Sequence, residues 1–442
     1  MKYQVKHGSI VRLLVATVAA GLLTGCAFHQ QYRTNLESCQ TSPHTDACRD
    51  AAIEDSDTSL LGFVEFDDQG WLWNRKQLDV VMDRLRQEEA RQRLMIITFV
   101  HGWQHNARYD DTNVEMIRKN LRVLNRLERR SAQKEGRTAR RVVGVYAGWR
   151  GRSLKTPGLD NVTFWERKNT AHEVGRGGLC ELFLRLEDLR NTSRILHAGE
   201  KDQTRLIIIG HSFGGAATYS ALAAILAERA IQTIDEQGRG HPPRGFGDLL
   251  MLINPAFEAA RYGVLQDIAV HQTYLTSNLV NLAIFTSKTD DATKVAFPIG
   301  RHVSTLFDKY QSPFERKANR TAVGHFHPYI THDLISTTAA QTQKPKKPVE
   351  PTDHEIEQTI ERVADLKAQT KRNVKQSSGN KEDFTYHFIG SDLKPREGHD
   401  PRMPLYVVAV DPKIIPDHSD IDRPPFLRFL EQFLTTFEPQ ER

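Results

Sequence analysis

Gly210-His211-Ser212-Phe213-Gly214 sets a serine between two glycines, after the apolar run Leu206-Ile207-Ile208-Ile209 and before an Ala-rich stretch. That context predicts strand, sharp turn and helix. The glycines are needed because the bent backbone leaves no room for side chains while the hydroxyl must stay exposed. The chemistry on offer is nucleophilic attack. After Ser212, the residues Ala216, Ala217, Leu222, Ile225 and Leu226 recur at helical spacing, and Gly215 lets that helix approach the strand. A serine hydroxyl is a poor nucleophile at neutral pH, so it needs a histidine to take its proton and a carboxylate to orient that histidine. On a parallel sheet both belong at the carboxyl ends of later strands, in the chain order serine, acid, histidine. Asp290 fits the acid, since Ser287-Lys288-Thr289-Asp290 directly follows the apolar run ending at Phe285; Asp291 is its rival. Eight histidines come after it: His302, His325, His327, His332, His354, His387, His399 and His418. His418 alone follows the last apolar run, Leu405 to Val410, and precedes a final helical pattern of Phe426, Phe429, Leu430, Phe433 and Leu434, which makes it the expected base. His325 and His327 are the runners-up, with a supporting or core role as their other reading.

The elements that must position these groups follow from periodicity. Gly62 to Phe66 and Trp71 to Trp73, around Asp67-Asp68-Gln69-Gly70, predict a hairpin that opens the fold. Leu78, Val81, Met82 and Leu85 then mark a helix. Apolar runs at Leu94 to Val100, Val142 to Ala147, Leu206 to Ile209, Leu249 to Ile253, Leu279 to Phe285 and Leu405 to Val410 are nearly continuous, which suits a parallel sheet buried on both faces. The expected fold class is α/β: a doubly wound, mostly parallel sheet with an N-terminal hairpin and a long insertion before the last strand. The insertion, Ser336 to Glu382, contains Lys344-Pro345-Lys346-Lys347-Pro348 and few aromatics. Within it Ile356, Ile360, Val363 and Leu366 have helical spacing, for a helix that packs on the body, serves as a lid, or lies in a solvated linker.

The N-terminus reads as an export signal, with Lys2, Lys6 and Arg12 before an apolar stretch from Leu13 to Leu23 that is too short to span a bilayer. It closes on Leu23-Thr24-Gly25-Cys26, which resembles the lipobox of bacterial lipoproteins. By that resemblance Cys26 is lipidated and anchors the chain to a membrane, and Ala27 after it points to the outer membrane, facing the periplasm. The expected organisation is a signal peptide at 1–25, a lipidated tether at 26–58, core at 59–335, the insertion at 336–382, and the rest of the core at 383–442. A net charge of +5 over 442 residues is mild, and no cluster interleaves Lys or Arg with aromatics, so no nucleic-acid partner is expected. No Cys and His spacing resembles a zinc site, and neither a metal nor a cofactor is expected. Cys39 and Cys48 lie close enough in sequence for a local disulfide, while Cys180 falls on a helical pattern as a buried thiol.

Over roughly Leu61 to Phe437 the chain resembles the α/β-hydrolase superfamily, on four separated motifs. Three are the serine turn, the acid and the histidine. The fourth, Phe99-Val100-His101-Gly102-Trp103, matches the His-Gly element after the third strand, which shapes the oxyanion hole in that superfamily. The resemblance implies that the backbone N–H groups of Trp103 and Phe213 hold the oxyanion of a tetrahedral intermediate. It also prefers Asp290 over Asp291, because members commonly carry a small residue three positions before the acid, as Ser287 is here. Two departures stand out: the long span from Asp290 to His418, and a third-strand motif without the triple glycine of many lipases. The implied activity is serine hydrolysis of a carboxylic ester, with lipid or another acylated envelope molecule as substrate. Trp103, Trp149, Trp165 and Phe213 are candidates to line an acyl pocket, although such aromatics are more often core. The alternatives are amide or thioester hydrolysis by the same triad, or a non-catalytic scaffold that keeps the fold.

Overall fold

Short runs rich in Val, Ile and Leu form the strands, and the segments between them carry apolar stripes that must be buried against the resulting sheet. The computed structural model describes residues 29–40, 48–56, 58–152, 164–231, 244–272, 274, 280–305, 307–337, 350–375 and 384–437. Twelve strands form one sheet. In chain order they are β1 (Asn35–Cys39), β2 (Ala51–Asp55), β3 (Leu60–Glu65), β4 (Leu94–Val100), β5 (Arg141–Gly148), β6 (Arg205–His211), β7 (Leu249–Ile253), β8 (Leu282–Ser287), β9 (His332–Ser336), β10 (Tyr386–Phe388), β11 (Ser391–Pro395) and β12 (Leu405–Val410). Their spatial order is β1-β2-β3-β5-β4-β6-β7-β8-β12-β9-β11-β10. From β3 to β9 every pairing is parallel, and antiparallel pairs occur only towards the edges, where β2 meets β3 and β11 meets β9 and β10.

Alternation along each strand splits the core in two: Leu60, Val64 and Ile96 face one apolar layer, while Leu61, Phe63, Ile97 and Phe99 face the other. Helices cover both layers. The first takes α1 (Arg75–Arg91), α4 (Gly178–Leu196), α5 (Phe213–Ile231) and α6 (Ala259–Val270), with α3 (Phe164–Arg176) between α1 and α4 in sequence. The second takes α2 (Thr112–Glu135), α9 (Asp353–Lys375) and α10 (Pro424–Thr436). Handedness accounts for the division. Right-handed crossovers that step from β5 over to β6 and on to β8 put their helices on one face, and the backward step from β4 to β5 puts α2 on the other. The reversal lies between β4 and β6. In sheets of this kind the crevice beyond the strand ends at such a reversal is where ligands bind.

The opening of the chain differs from expectation. Phe66 meets Leu72 in a single antiparallel bridge, and the ladder partners of β3 are instead β2 and β5. Every residue of β3 is buried, so the strand belongs inside the sheet, whereas Trp71 is 74% exposed and has no layer to cover. Residues 35–39 and 51–55, left to the tether by the sequence pattern, form β1 and β2. They are tied to the body by the buried Arg33 guanidinium, which donates to Glu54 and to the Ala107 and Cys48 carbonyls. Cys39 and Cys48 are disulfide-bonded, and Cys180 is half-buried rather than buried. In the insertion, α9 sinks Ile356, Ile360, Val363 and Leu366 and contacts α2 and α10, joining the core. Two short helices, α7 (Phe297–Ser304) and α8 (Pro313–Arg320), lie between β8 and β9.

Candidate active site

β6 ends at His211 and α5 begins at Phe213, so Ser212 alone turns the chain. Its φ of +56° is a left-handed conformation that costs a non-glycine residue about 1–3 kcal/mol and persists only where the surroundings enforce it. They do: the Ser212 N–H donates to the Ile253 carbonyl at 3.0 Å, and the Ser212 carbonyl accepts from Ala216 and Ala256. A side chain at Gly214 would run into the Val100 and His101 carbonyls, and one at Gly102 would come within 2.6 Å of Ser212 Cβ. The end of β4 thus presses directly on the serine turn, which is why glycine stands at both places.

Asp290 follows β8 and is wholly buried. His418 lies in the loop between β12 and α10, with its side chain 14% exposed. The His418 Nδ1–H donates to Asp290, at 2.9 Å from each carboxylate oxygen, and its Nε2 is 2.7 Å from Ser212 Oγ. With Nδ1 committed to an acceptor-only carboxylate, Nε2 of the neutral ring accepts the Ser212 hydroxyl proton. Burial pushes the Asp290 carboxyl up, but the His418 charge and hydrogen bond, with two further bonds from Thr293, outweigh it and hold the carboxyl below its ordinary range. The three residues expected from the sequence are therefore in mutual contact across 206 residues of chain. Asp291 is exposed beside this site, His327 is exposed at the start of a short 3-10 turn, and Cys26 lies outside the described residues.

His101 explains how the Trp103 N–H is aimed. The Trp149 N–H donates to His101 Nε2 at 3.0 Å, so the ring proton is on Nδ1 and donates to the Gly102 carbonyl at 2.9 Å. Burial lowers His101 to about 4, which keeps the ring neutral. In a trans peptide the N–H points opposite to the C=O, so pinning the Gly102 carbonyl fixes the direction of the Trp103 N–H. The Phe213 N–H belongs to the first turn of α5, where helix N–H groups have no intrahelical acceptor.

Periodicity did not single out four further residues. His211 Nε2 and Asn254 Nδ2 both donate to the His418 carbonyl, at 3.0 and 2.8 Å, clasping the loop that carries His418. Asn254 also has a positive φ of 45°, and its Oδ1 accepts from the Ser287 N–H, which joins the ends of β7 and β8. Thr293 donates its N–H and its hydroxyl to Asp290, at 3.1 and 2.5 Å, and His325 Nε2 lies 2.9 Å from the Thr293 Oγ1. Since the threonine proton is already given to Asp290, His325 must donate, which places a proton on its Nε2. The runner-up histidine is thus a support to the acid. His325 was already a runner-up with a supporting role as one of its readings, and a signal existed for two more of the four: His211 sits inside the serine turn, and Asn254 interrupts an apolar run at its end.

Of the aromatic candidates, Trp149 is core: it is buried and stacked on His101, with ring centroids 5.4 Å apart. Trp103 and Trp165 are partly buried, and Phe164 bridges them, with centroids at 5.5 Å from Trp103, 5.4 Å from Trp165 and 4.6 Å from the buried Phe213. No helix among the described residues is long and apolar enough to cross a membrane. No protein-family model, curated protein or solved structure matches this chain.

Proposed function

We propose that this chain is a serine hydrolase of the α/β-hydrolase type that cleaves carboxylic esters through an acyl-enzyme, held on a membrane by a lipid on Cys26. The hydrogen-bonded series Ser212–His418–Asp290 carries the reading. Ser212 Oγ attacks the ester carbonyl while His418 Nε2 takes its proton. The N–H groups of Trp103 and Phe213 hold the oxyanion, each such donor being worth about 2.7–4 kcal/mol. His418 then returns the proton to the leaving alcohol, and water repeats the sequence on the acyl-serine. The Trp103–Phe164–Trp165 surface beside the turn favours an apolar acyl group.

Ser212→Ala should abolish hydrolysis of short-chain p-nitrophenyl esters and labelling by a fluorophosphonate probe while leaving Tm nearly unchanged. His418→Ala should match that loss, and the double variant should be little worse than either single one, because members of a triad act as a unit. Full turnover by Ser212→Ala, or multiplying losses in the double variant, would remove the reading. Labelling without ester turnover would move the substrate to amides or thioesters. The anchor rests on Leu23-Thr24-Gly25-Cys26: Cys26→Ala should end incorporation of radiolabelled palmitate, and equal labelling of that variant would refute it.

A further inference from the structure

We propose that the chain has a second binding site, at the end of the sheet opposite Ser212, that takes a small molecule bearing more than one phosphate charge. A cavity of about 1300 Å³ opens where the central strands begin. Arg205 starts β6, and Arg140, Asp248 and Asn281 immediately precede β5, β7 and β8; all four line it. The seven residues of β6 separate it from Ser212 by about 23 Å at about 3.3 Å per residue.

Its charge is lopsided. Ten lysines and arginines line the cavity against Glu135, Glu187 and Asp248, an excess of seven positive charges in a chain whose net charge is +5. The three carboxylates are already engaged. Asp248 accepts from Arg190, Arg194 and the Leu206 N–H; Glu187 accepts from Arg229 and the Gly247 N–H; Glu135 pairs with Arg137 and Lys367. Lys201, Lys371 and Arg244 add charge at the exposed rim, and none of them is ion-paired among the described residues.

The lining is built into the fold as well. Arg205 is 1% exposed with its guanidinium donating to the Leu434 carbonyl, and Arg140 is buried with its Nε donating to the Gln203 carbonyl. Burial, together with the crowding of Arg190, Arg205 and Arg140, pulls Arg194 down to about 10, the sign of a positive field that its aspartate only partly offsets. Guanidinium groups held in fixed orientation match phosphate oxygens bidentately. The volume exceeds what a single inorganic ion fills, and the excess charge calls for a multiply charged guest. Among the described residues no aromatic side chain lines the cavity, so they offer no stacking surface of the kind single-stranded nucleic acid uses and a small phosphorylated molecule is the better fit.

The test is calorimetric titration of pyrophosphate into the full chain at neutral pH, with sodium chloride matching ionic strength. Saturable one-to-one binding with a Kd below about 1 mM is expected, together with a rise in Tm that matched chloride does not give. The triple variant Lys201→Gln/Lys371→Gln/Arg244→Gln leaves the buried arginine pairs intact and should bind at least tenfold more weakly. Absence of saturable heat up to about 10 mM overturns the proposal, as does unchanged affinity in the triple variant. A third arm uses vesicles of phosphatidylcholine with phosphatidylglycerol: charge-dependent vesicle binding without pyrophosphate binding also overturns it, because the surface would then be reading a membrane and the cavity would hold nothing.

Discussion

Thr293 shows how much of a serine–histidine–acid series depends on residues outside the three themselves. It gives Asp290 two hydrogen bonds and receives one from His325, so it sets both the charge and the orientation of the carboxylate that in turn orients His418. Hydrogen bonds to a charged, buried group are worth about 1.5–3 kcal/mol each, and only the hydroxyl bond is lost in Thr293→Val. Turnover of a p-nitrophenyl ester by that variant should fall roughly 10- to 100-fold in kcat with KM little changed. Thr293→Ser, which keeps the hydroxyl, should recover most of it. A valine variant as active as the parent would show that Asp290 needs no support from this side. His101 belongs to the same scale: a neutral ring that holds one carbonyl and so aims the N–H on the other side of the peptide.

Among the elements, α9 is the one whose role its composition leaves open, since a polar insertion bearing one amphipathic helix suits a core helix, a lid and a loose linker equally well. Its apolar stripe is buried against α2 and α10, on the layer that faces away from α5. Ile360 is 7% exposed, and replacing a buried isoleucine with alanine costs about 2–5 kcal/mol through lost transfer energy and the cavity left behind. Ile360→Ala should therefore lower stability to chemical denaturation by about that amount while kcat and KM for a small ester stay near their parent values. A variant of unchanged stability but altered KM would make α9 a lid. The serine turn makes the opposite case: its strand, turn and helix are held by close approach of β4, so its conformation belongs to two elements together.

At the scale of the molecule, burial imposes a pH dependence. Folding lowers His101 and His325 to about 4, and His172, His211 and His332 to about 3, in each case chiefly by desolvation. An unfolded histidine titrates near 6.5. Between about 6.5 and 4 the unfolded chain therefore binds protons that the native chain refuses, and stability must fall as pH drops through that window, while above it these groups contribute nothing further. Glu431, raised to about 7 by burial, and Glu65, also raised by burial, act in the opposite direction, but they are two groups against five. Tm should decline steadily between pH 7 and 4.5, by several degrees in all. A Tm that held constant or rose over that range would show that the histidines take up protons without loss of structure.

The nearly continuous apolar runs determined the strands of the central sheet, and their places in chain order singled out His418 from the histidines around it and narrowed the acid to Asp290 and its neighbour Asp291. The glycines flanking Ser212 determined the turn, because steric exclusion between a bent backbone and its neighbours acts within a few residues. These features were legible because propensity, turn sterics and periodicity are local. Which strand pairs with β3 was decided only in three dimensions, since Gly62 to Phe66 can ladder with any apolar strand and Trp71 to Trp73 is only half-buried, with Trp71 exposed. The clasp on His418 by His211 and Asn254, the contact of His325 with Thr293, and the basic cavity at the far end of the sheet arise from side chains brought together by strand order. Hydrogen-bond partners 32 to 207 residues apart leave no period in a sequence, and only the folded register of the sheet puts them within reach.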